Sequence, residues 1–596
     1  MKTISIDHLA RVEGNGGIHA TIDGKVVTDV KFTINEGPRF IEKLALGRTP
    51  DEDVSMSPRI CAICTCSHKN SVLRAFENAM DVKITPKAYL LRELMHMGEF
   101  VESHSLHTFY LALPDFLGYP NAIAMAADYE LEVKIALEMK HYGNHIMKVT
   151  NGRFIHGENA IIGGFGKWPT REELLFIKDR ALQFMPFVQK TVDLFCGLEY
   201  PNSPNAETNY VCCEPGNGNY GFWGDKILVS TGETVHRDDY KSITNEFVVS
   251  HSYAKHSRYQ DSPFTVGALA RIVNLGDRLQ GQAGEMHKKY YNDTWKTNPF
   301  YHNPSRALEI MYAFERIPEL VDQFLKLEDT ASVVDYKVKD GKGTGIVEAP
   351  RGLLIHHHEV QDGVVSYVDI ITPTAQNTED IERYCHVAAQ DLLDQGKEDE
   401  VRDRLDIVVR AFDPCISCSA HMAEVKSAPA DNWKSKLNEV QTKGLPIFVG
   451  VGNPTLGDDA AGIELAEALR KQGIADVLLE AEIEEQEDLW IEDPQRPLIF
   501  LDAVDFQENP GKVILMPLSF VLENTSLSHR VLPSVSGLMN YPQIKNAYYL
   551  GIQPESLEPG QKISPAVKRA IQAVLQHLAN GFSESSEMTD KSDRPA

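Results

Sequence analysis

The chain has 596 residues, which is too long for one ordinary domain. Its formal net charge of −26 argues against nucleic acid or an anionic membrane surface as the main partner, because lysine and arginine bind phosphate groups. No apolar run approaches the roughly 20 residues of a spanning helix, and the start has no signal-peptide core, so we expect a cytoplasmic protein without a membrane span. Nine cysteines fit metal ligands and free thiols better than disulfides.

Residues 1–50 are predicted to be rich in strands. Two β-prone runs, 17–22 and 24–34, meet at Asp23-Gly24, which is typical of a hairpin turn. Glu13 lies just before this hairpin. A carboxylate beside a metal thiolate can relay protons, although the more common fate of a glutamate is a solvated surface.

Two C-x-x-C pairs lie far apart in the chain. Cys61 and Cys64 form the first, and Cys415 and Cys418 form the second. Each pair places two thiolates close enough to share nickel, iron, zinc or copper(I). A structural zinc site of this kind usually closes within about 15–20 residues, so the large separation indicates a buried site assembled by the whole fold. Two unrelated pairs, or a loop-closing zinc, are the alternatives.

Residues 85–330 are predicted to be mostly helical, since apolar residues recur at helical spacing, for example over 90–101. We interpret the histidines in and after this run as packed core residues: His96, His104 and His107. Four further cysteines lack the spacing of a metal pair and are interpreted as buried thiols: Cys196, Cys212, Cys213 and Cys385.

Residues 345–375 are predicted to form a hairpin in which the run 347–352 leads into the run 364–371. Arg351 lies in a Pro-Arg-Gly turn between them. An arginine held in this way can offer a planar fork of donors, and a surface ion pair is the alternative.

Five motifs, in this order, resemble the large, catalytic subunit of nickel-iron hydrogenases. They are His-Leu-Ala-Arg-Val-Glu-Gly at 8–14, Arg-Phe-Ile-Glu-Lys at 39–43, Arg-Ile-Cys-x-Ile-Cys-x-x-x-His at 59–68, Glu-Ala-Pro-Arg-Gly at 348–352 and Asp-Pro-Cys-x-x-Cys-x-x-His at 413–421. The run Ile-His-His-His-Glu-Val at 355–360 is similar to the soluble, cytoplasmic, cofactor-reducing type. The resemblance implies a mainly α large-subunit domain over 1–421 that reversibly oxidises H2 to protons and electrons.

The resemblance also assigns roles to the four cysteines. It implies that Cys61 and Cys415 are terminal nickel ligands. Cys64 and Cys418 would bridge nickel to an iron that carries carbon monoxide and cyanide. Ala62 replaces a glycine that is common in the family at that position, but this departure removes no ligand.

Further site residues follow from the same resemblance. It implies that Glu13 transfers the proton beside Cys415 and that Arg351 faces the small ligands of the iron. Asp115, after the helix that begins near residue 90, and Asp413, which opens the last motif, are the other candidate catalytic residues. A magnesium site would be formed by the side chains of Glu42 and His421 and the carbonyl of Ile370.

The electrons released at such a site must be transferred to a redox partner. The chain lacks the additional cysteines of an iron-sulfur relay, which implies a hydrogenase small subunit with iron-sulfur clusters. Flavin and iron-sulfur subunits of diaphorase type would lie beyond it, and maturation chaperones are expected as partners. Two alternatives stay open, a nickel-binding maturation scaffold and a non-catalytic subunit of an electron-transfer complex.

The hydrogenase pattern ends at residue 421, but the chain continues. Residues 422–443 are polar and are interpreted as a linker. An apolar strand, a loop and an amphipathic helix then open a predicted α/β doubly wound domain over 444–580. Residues 581–596 are predicted to be a disordered tail.

This second half resembles the hydrogenase maturation endopeptidases. The matching segments are 452–459, 502–505, 528–529 and 551–556. The resemblance implies that nickel is bound by Asp459, Asp502 and His529, since two carboxylates and an imidazole can hold a divalent ion with open positions. Solvated loop acids are the alternative.

A processing step follows from the two resemblances together. The second domain would cut the chain between His421 and Met422 once nickel is loaded. The alternatives are that the fusion persists and the domain acts in trans, or that it serves only as a nickel chaperone.

Overall fold

The computed structural model divides the chain into two compact units, Met1–Ala423 and Glu424–Ala596. It describes residues 2–34, 40–203, 207–216, 218–249, 251–328, 330–420, 433–473, 476–482, 493, 496–504, 510–518, 546–556 and 560–589. Within these ranges, no helix combines the length and the apolar character needed to cross a membrane.

The first unit is mainly helical. Its α-helices are α1 (Ile41–Ala45), α2 (Pro50–Met56), α3 (Thr65–Met80), α4 (Pro86–Leu106), α5 (Leu113–Leu117), α6 (Ala122–Met125), α7 (Glu130–Asn151), α8 (Arg171–Gly197), α9 (Ala268–Leu275), α10 (Gly281–Tyr290), α11 (His302–Lys326), α12 (Pro373–Asp394), α13 (Val401–Phe412) and α14 (Ile416–Ser419). A π-helical turn, His107–Ala112, joins α4 to α5. The long helices α4, α7, α8 and α11 pack on one another around the main apolar core.

Small sheets surround these helices. Their strands are β1 (Lys2–Ile6), β2 (Gly16–Asp23), β3 (Val26–Ile34), β4 (Ala160–Ile161), β5 (Gly164–Phe165), β6 (Asn209–Glu214), β7 (Lys226–Val229), β8 (Thr234–His236), β9 (Asn245–Phe247), β10 (His256–Arg258), β11 (Phe264–Thr265), β12 (Gly341–Ala349), β13 (Gly352–Gln361) and β14 (Val364–Ile371). The antiparallel pairing of β2 with β3 confirms the predicted hairpin around Asp23-Gly24. The predicted helical region 85–330 is helical in large part, but β4–β11 interrupt it.

The predicted hairpin over 345–375 is wrong in one respect. Three antiparallel strands form a sheet in the order β12-β13-β14, so β13 lies between the two runs that were expected to be partners. Most residues of β13 are buried, and the strand lacks the polar alternation that marks a half-exposed strand. The tight turn at Pro350-Arg351 joins β12 to β13 and holds Arg351.

Glycines at every second residue bring β12 directly against α3. A Cβ atom added to Gly341, Gly343 or Gly345 would lie 2.2, 2.3 or 2.0 Å from a backbone oxygen of α3. Only glycine allows a strand to approach a helix this closely. The contact fixes α3, which begins directly after Cys64, relative to the turn that carries Arg351.

The second unit contains a mixed five-stranded sheet in the order β16-β15-β17-β19-β18. The strands are β15 (Ile447–Gly450), β16 (Asp476–Leu479), β17 (Leu498–Ala503), β18 (Val513–Pro517) and β19 (Ala547–Ile552), and only β18 is antiparallel to its neighbour. Its described helices are α15 (Trp433–Gln441), α16 (Ala461–Gln472) and α17 (Pro565–Thr589). The expectation of a multidomain chain with an α/β second domain is confirmed.

Two helices of this unit extend into stretches that were predicted to be a linker and a tail. Helix α15 lies inside the predicted linker 422–443, and its Leu437 and Val440 are buried in the core of the second unit. Helix α17 extends to Thr589, into the stretch predicted to be a disordered tail. Residues 421–432 and 590–596 lie outside the described part of the chain.

We predict that Gly345→Ala destabilises the first domain by about 1–3 kcal/mol, because the new methyl group would collide with the Ser71 carbonyl oxygen 2.0 Å away. Thermal unfolding of the full chain measures the effect. Gly197→Ala is the matched control, since nothing lies within 4 Å of its Cβ position. Equal unfolding temperatures for the two variants would contradict the close packing of β12 on α3.

Candidate functional site

The two C-x-x-C pairs meet in the interior of the first unit. The four Sγ atoms of Cys61, Cys64, Cys415 and Cys418 lie within 4.8 Å of one another, and all four residues are buried. Cys61 Sγ is 3.3 Å from Cys415 Sγ, and Cys64 Sγ is 3.2 Å from Cys418 Sγ. These separations exceed the roughly 2.05 Å of a disulfide, and all four cysteines are free. The prediction that distant pairs build one buried site is confirmed.

Breaks in regular structure position the sulfur atoms. Cys61 follows a 3₁₀-helix, Ser57–Ile60, and Cys64 is the N-cap residue of α3. Helix α13 ends at Asp413, which adopts a left-handed conformation with φ of 53°, and Cys415 is the N-cap residue of the short α14. In each pair, the first cysteine precedes a helix and the second lies at its start or inside it. The two thiols of a pair therefore point into the same cavity.

Glu99 of α4 fixes the start of α3. Its carboxylate accepts hydrogen bonds from the backbone N–H of Cys66, at 2.5 Å, and of Ser67, at 3.1 Å. An acidic group at a helix N-terminus satisfies free donors and complements the helix dipole. Burial raises the pKa of Glu99 to about 8. Cys66, an additional thiol beside the first pair, is buried here, and burial raises its pKa well above the usual value.

The electrostatics of the cluster favour a bound cation. Burial raises the pKa of Cys64 to about 12 and also raises the pKa values of Cys415 and Cys418. Burial also opposes ionisation of Cys61, but hydrogen bonds from the other three cysteines lower its pKa. Three of the four thiols are therefore harder to ionise than an exposed cysteine. Four sulfur donors in a dry pocket fit a thiophilic metal, which supplies the charge that ionises them.

Arg351 and Asp413 form a buried ion pair beside the sulfur atoms. Arg351 Nη2 is 3.0 Å from Asp413 Oδ1, and its Nε donates to the Asp413 carbonyl oxygen at 2.9 Å. Although burial opposes the charge, Asp413 and the nearby Cys415, Cys64 and Cys61 raise the pKa of Arg351. The surface ion pair considered for Arg351 is therefore excluded, because both side chains are almost completely buried.

His107 was interpreted as a core residue, but the structure gives it a partner in this site. Its Nδ1 lies 3.0 Å from Asp413 Oδ1, and burial lowers its pKa to about 4. The two other histidines are buried against polar partners. His104 Nε2 is 2.7 Å from Glu309, and His96 Nδ1 accepts from the Trp223 indole N–H at 2.6 Å.

Glu13 is attached to the second cysteine motif. Its carbonyl oxygen accepts from Ile416 N–H at 3.0 Å, and its carboxylate accepts from both the backbone N–H and the hydroxyl of Ser417. Ser417 lies between the two cysteines of this motif. Glu13 is half-buried, so it stands between the closed cluster and solvent.

A row of buried polar groups begins at Cys418, and its role was not predicted. His68 Nε2 is 3.8 Å from Cys418 Sγ, and its Nδ1 is 2.9 Å from His356 Nε2. His356 Nδ1 is 3.3 Å from His358 Nε2, whose Nδ1 lies 3.0 Å from Asp53. His68 belongs to the first cysteine motif and the other two histidines to the run 355–360, so their motif membership was the available signal.

The proposed magnesium ligands are only partly described. The buried Glu42 carboxylate accepts from Ile370 N–H at 2.7 Å, and burial raises the pKa of Glu42 to about 7. The structure thus brings two members of the predicted set together. His421 and Met422, the predicted cleavage site, lie outside the described residues.

Asp115 lies on α5 in an ion cluster with two arginines. Arg410 Nε is 2.8 Å from Asp115 Oδ2, and Arg11 pairs with Oδ1. The cluster joins the segment before Glu13 to α13, so it positions both motifs. A direct chemical role for Asp115 stays a prediction.

In the second unit, Asp459 and Asp502 both lie close to Gly452. Asp459 Oδ2 accepts from Asn453 N–H at 3.0 Å, and Asp502 accepts from the Tyr549 hydroxyl. A Cβ on Gly452, at φ of 133°, would lie 2.0 Å from the Asp459 carbonyl oxygen and 3.6 Å from Asp502 Oδ1. Burial and the charge of Asp459 raise the pKa of Asp502 to about 7. These two acids fit the oxygen part of a divalent-metal site.

The third predicted ligand, His529, lies outside the described residues.

Asp458, to which we assigned no separate role, caps the segment 551–556. Its Oδ2 accepts from Glu555 N–H at 2.7 Å and from Ser556 N–H at 3.1 Å. The five cysteines outside the cluster are free thiols, and Cys196 is half-buried whereas Cys66, Cys212, Cys213 and Cys385 are buried.

Comparison with known proteins agrees with these sites. Residues 39–155 and 222–421 match the family described as nickel-dependent hydrogenase, and residues 487–580 match hydrogenase maturation protease. The alpha subunit of sulfhydrogenase 1 from Pyrococcus furiosus is 39% identical over 422 residues, which cover 71% of this chain and 98% of that protein. The sulfhydrogenase 2 alpha subunit of the same organism is 37% identical over 426 residues, with 71% and 100% covered.

Among solved structures, an NAD+-reducing [NiFe]-hydrogenase in the H2-reduced state superposes with a TM-score of 0.65 and 26% identity. The match covers 71% of this chain and 100% of that chain. Both the sequence and the structural similarities therefore span the relatives almost completely.

We predict that His96 makes the first domain less stable as the pH falls. Burial lowers its pKa to about 3, from an unfolded value near 6.5, so the unfolded chain binds the proton first. Stability is therefore lost as the pH falls below 6.5, by about 2 kcal/mol at pH 5.

His96→Gln should remove this part of the pH dependence of the unfolding temperature. The exposed His236→Gln is the control and should retain it. The same slope between pH 7 and 5 in His96→Gln and the unmodified chain would show that His96 is not held neutral.

Proposed function

The chain belongs to the nickel-dependent hydrogenase family, and we propose that its four-cysteine cluster holds a nickel-iron centre that reversibly oxidises H2 to protons and electrons. The observation that carries this proposal is the convergence of four buried Sγ atoms within 4.8 Å. Cys61 and Cys415, at 3.3 Å, would be the terminal nickel ligands, and Cys64 and Cys418, at 3.2 Å, would bridge to iron. The iron would carry carbon monoxide and cyanide.

When bound, such a centre supplies the Lewis-acid and redox chemistry that splits H2. The chain's own residues shape its surroundings. Arg351 keeps a permanent positive charge beside the thiolates, and Asp413 fixes the direction of its guanidinium through two contacts. In a dry site such a fixed donor stabilises developing negative charge without reorganisation.

Glu13 would carry the proton away from Cys415. The two donors of Ser417 hold its carboxylate beside the second cysteine motif, while its half-buried position gives it access to the exterior. A carboxylate that exchanges hydrogen bonds in this position can accept a proton on the inner side and release it outward. His68, 3.8 Å from Cys418 Sγ, would instead orient the bridging thiolate.

A magnesium ion would be bound by Glu42, the Ile370 carbonyl and His421, next to the C-terminal end of the mature domain. The buried carboxylate of Glu42 favours this, because burial raises its pKa to about 7 and a bound cation would stabilise its charged form. A magnesium ion bound here would fix the chain segment that follows Cys418.

The partners follow from the relatives. A large subunit of this family implies a small subunit, which would carry the iron-sulfur clusters. The NAD+-reducing hydrogenase among the similar structures supports flavin and iron-sulfur subunits of diaphorase type as partners. The resemblance of the run 355–360 to the soluble, cofactor-reducing type supports a cytoplasmic location. Maturation chaperones would assist metal loading.

We also propose that the second domain is a nickel-dependent protease with a doubly wound sheet that cuts between His421 and Met422. Asp459 follows β15, and Asp502 lies in β17, its parallel neighbour. Strand order reverses on the two sides of β15, and ligands of such sheets bind at this crevice. Asp459, Asp502 and His529 would bind the nickel there.

The hydrogenase proposal is tested by Cys64→Ser in anaerobically purified protein from a host that assembles such centres. We expect about one nickel and one iron per unmodified chain, with H2-dependent dye reduction, and loss of activity by at least about 100-fold in the variant. Cys196→Ser, which changes a thiol outside the cluster, should keep metal and activity. Zinc alone in the unmodified, fully matured chain would contradict the proposal.

The protease proposal is tested by Asp459→Asn. The unmodified chain should release a fragment whose N-terminal sequence begins at Met422, and the variant should remain full-length because one nickel ligand is lost. Glu464→Gln, on the neighbouring α16, is the control and should be processed normally. A full-length chain in active, unmodified enzyme would rule out cleavage in favour of a persistent fusion.

A further inference from the structure

Two histidines and a glutamate outside the cysteine site lie close enough to bind one metal ion. His251 is in the loop between β9 and β10, His256 opens β10, and Glu382 lies on α12. One nitrogen of each imidazole and one carboxylate oxygen lie within 4.8 Å of one another. We propose that these three residues bind a divalent transition-metal ion of the zinc type, which links the segment that carries both histidines to helix α12.

The distances fit one ion after small side-chain adjustments. His251 Nε2 is 2.8 Å and His256 Nε2 is 3.9 Å from Glu382 Oε1. With bonds of about 2.0–2.1 Å, two ligand atoms of a tetrahedral zinc lie about 3.4 Å apart. One separation is thus shorter and the other longer than the ideal by about half an ångström.

The donor set selects the class of metal. Two imidazoles and one carboxylate suit zinc and similar borderline ions, whereas magnesium and calcium prefer sites made of oxygen atoms alone. The His256 side chain is 3% exposed, but those of His251 and Glu382 are 19% and 14% exposed. Solvent therefore reaches one side of the cluster, where an ion can enter and a water molecule can complete its coordination.

Neighbouring charges do not oppose a cation. Lys255, next to His256, pairs with Glu246 at 3.1 Å, and Arg258, two residues further on, pairs with Glu379 at 2.6 Å. Both positive side chains are thus matched by carboxylates other than Glu382. Lys31, whose charge also reaches Glu382, pairs with Asp29 at 2.8 Å, so each of these three positive side chains has another carboxylate as its partner.

The ligands lie on segments that already pack on one another in one apolar cluster and also share hydrogen bonds. Glu382 Oε1 accepts from Phe32 N–H at 2.8 Å on the edge strand β3. The loop that carries His251 pairs with the end of the same strand, since Ser252 Oγ accepts from Ile34 N–H at 3.2 Å. An ion bound here would hold the loop and β3 to α12, and it would stabilise the folded chain because the unfolded chain lacks the site.

The test compares the full chain with Glu382→Gln and His251→Ala, after dialysis against a chelator. Zn²⁺ alone is then added, and bound zinc is counted by elemental analysis after gel filtration. The cysteine cluster and the acids of the second domain are the same in every protein, so the difference between proteins reports this site. We expect the unmodified chain to bind one more zinc than either variant and to gain unfolding temperature with zinc, a gain that both variants lose.

His236→Ala, an exposed histidine on β8, is the matched control and should bind as much zinc as the unmodified chain. Glu382→Gln retains an oxygen that accepts from Phe32 N–H, so it keeps the fold testable if His251→Ala does not fold. Equal zinc in the unmodified chain and Glu382→Gln would overturn the proposal and leave a hydrogen-bonded His-Glu pair without metal.

Discussion

Four sulfur atoms from the two ends of the first domain converge within 4.8 Å, and much of the surrounding structure serves this convergence. The pairing of Glu13 with the backbone of the second motif ties the N-terminal sheet to Cys415. Glu99 holds the start of α3 directly after Cys64. The glycines at every second residue of β12 allow the same helix to pack directly on the sheet whose turn carries Arg351. Each contact restricts a movement that would separate the two cysteine motifs.

Convergence creates an electrostatic problem that a cation resolves. Burial raises the pKa values of Cys64, Cys415 and Cys418, so the thiols would stay protonated in an apolar pocket. Arg351 contributes one fixed positive charge, but Asp413 largely balances it. A metal that binds thiolates adds the missing positive charge. Ionisation of the four thiols is therefore coupled to metal binding, which agrees with membership in a nickel-dependent family.

The sequence predicts which thiols meet in this site better than it predicts their surroundings. Cysteine spacing and motif order are local signals, and they predicted that the four thiols share one site with Glu13 and Arg351 nearby. The proximity of the buried His107 to Asp413 was not predicted, because the two residues are distant in the chain and no periodicity reports such a pair. The same limit hid the cluster of His251, His256 and Glu382, which only the packing of α12 on β10 assembles.

Two elements were missed for local reasons. Strand β13 is buried over most of its length and contains three histidines, so it shows neither polar alternation nor a β-branched run. Helix α15 has only Trp433, Leu437 and Val440 as an apolar stripe in a polar sequence, which resembles a linker by composition. In both elements the contribution of tertiary contacts outweighs the local pattern.

The arrangement around α14 limits what cleavage can accomplish. Cys415, Cys418 and Ala420 are each at most 1% exposed in the full-length chain. The second cysteine motif therefore already occupies its packed position while the second domain is still covalently attached. Under the proposed processing step, cutting is not needed to bring the sulfur atoms together. Under the same proposal, its effect would fall on residue 421, which would become the new C-terminus and join Glu42 in the proposed magnesium site.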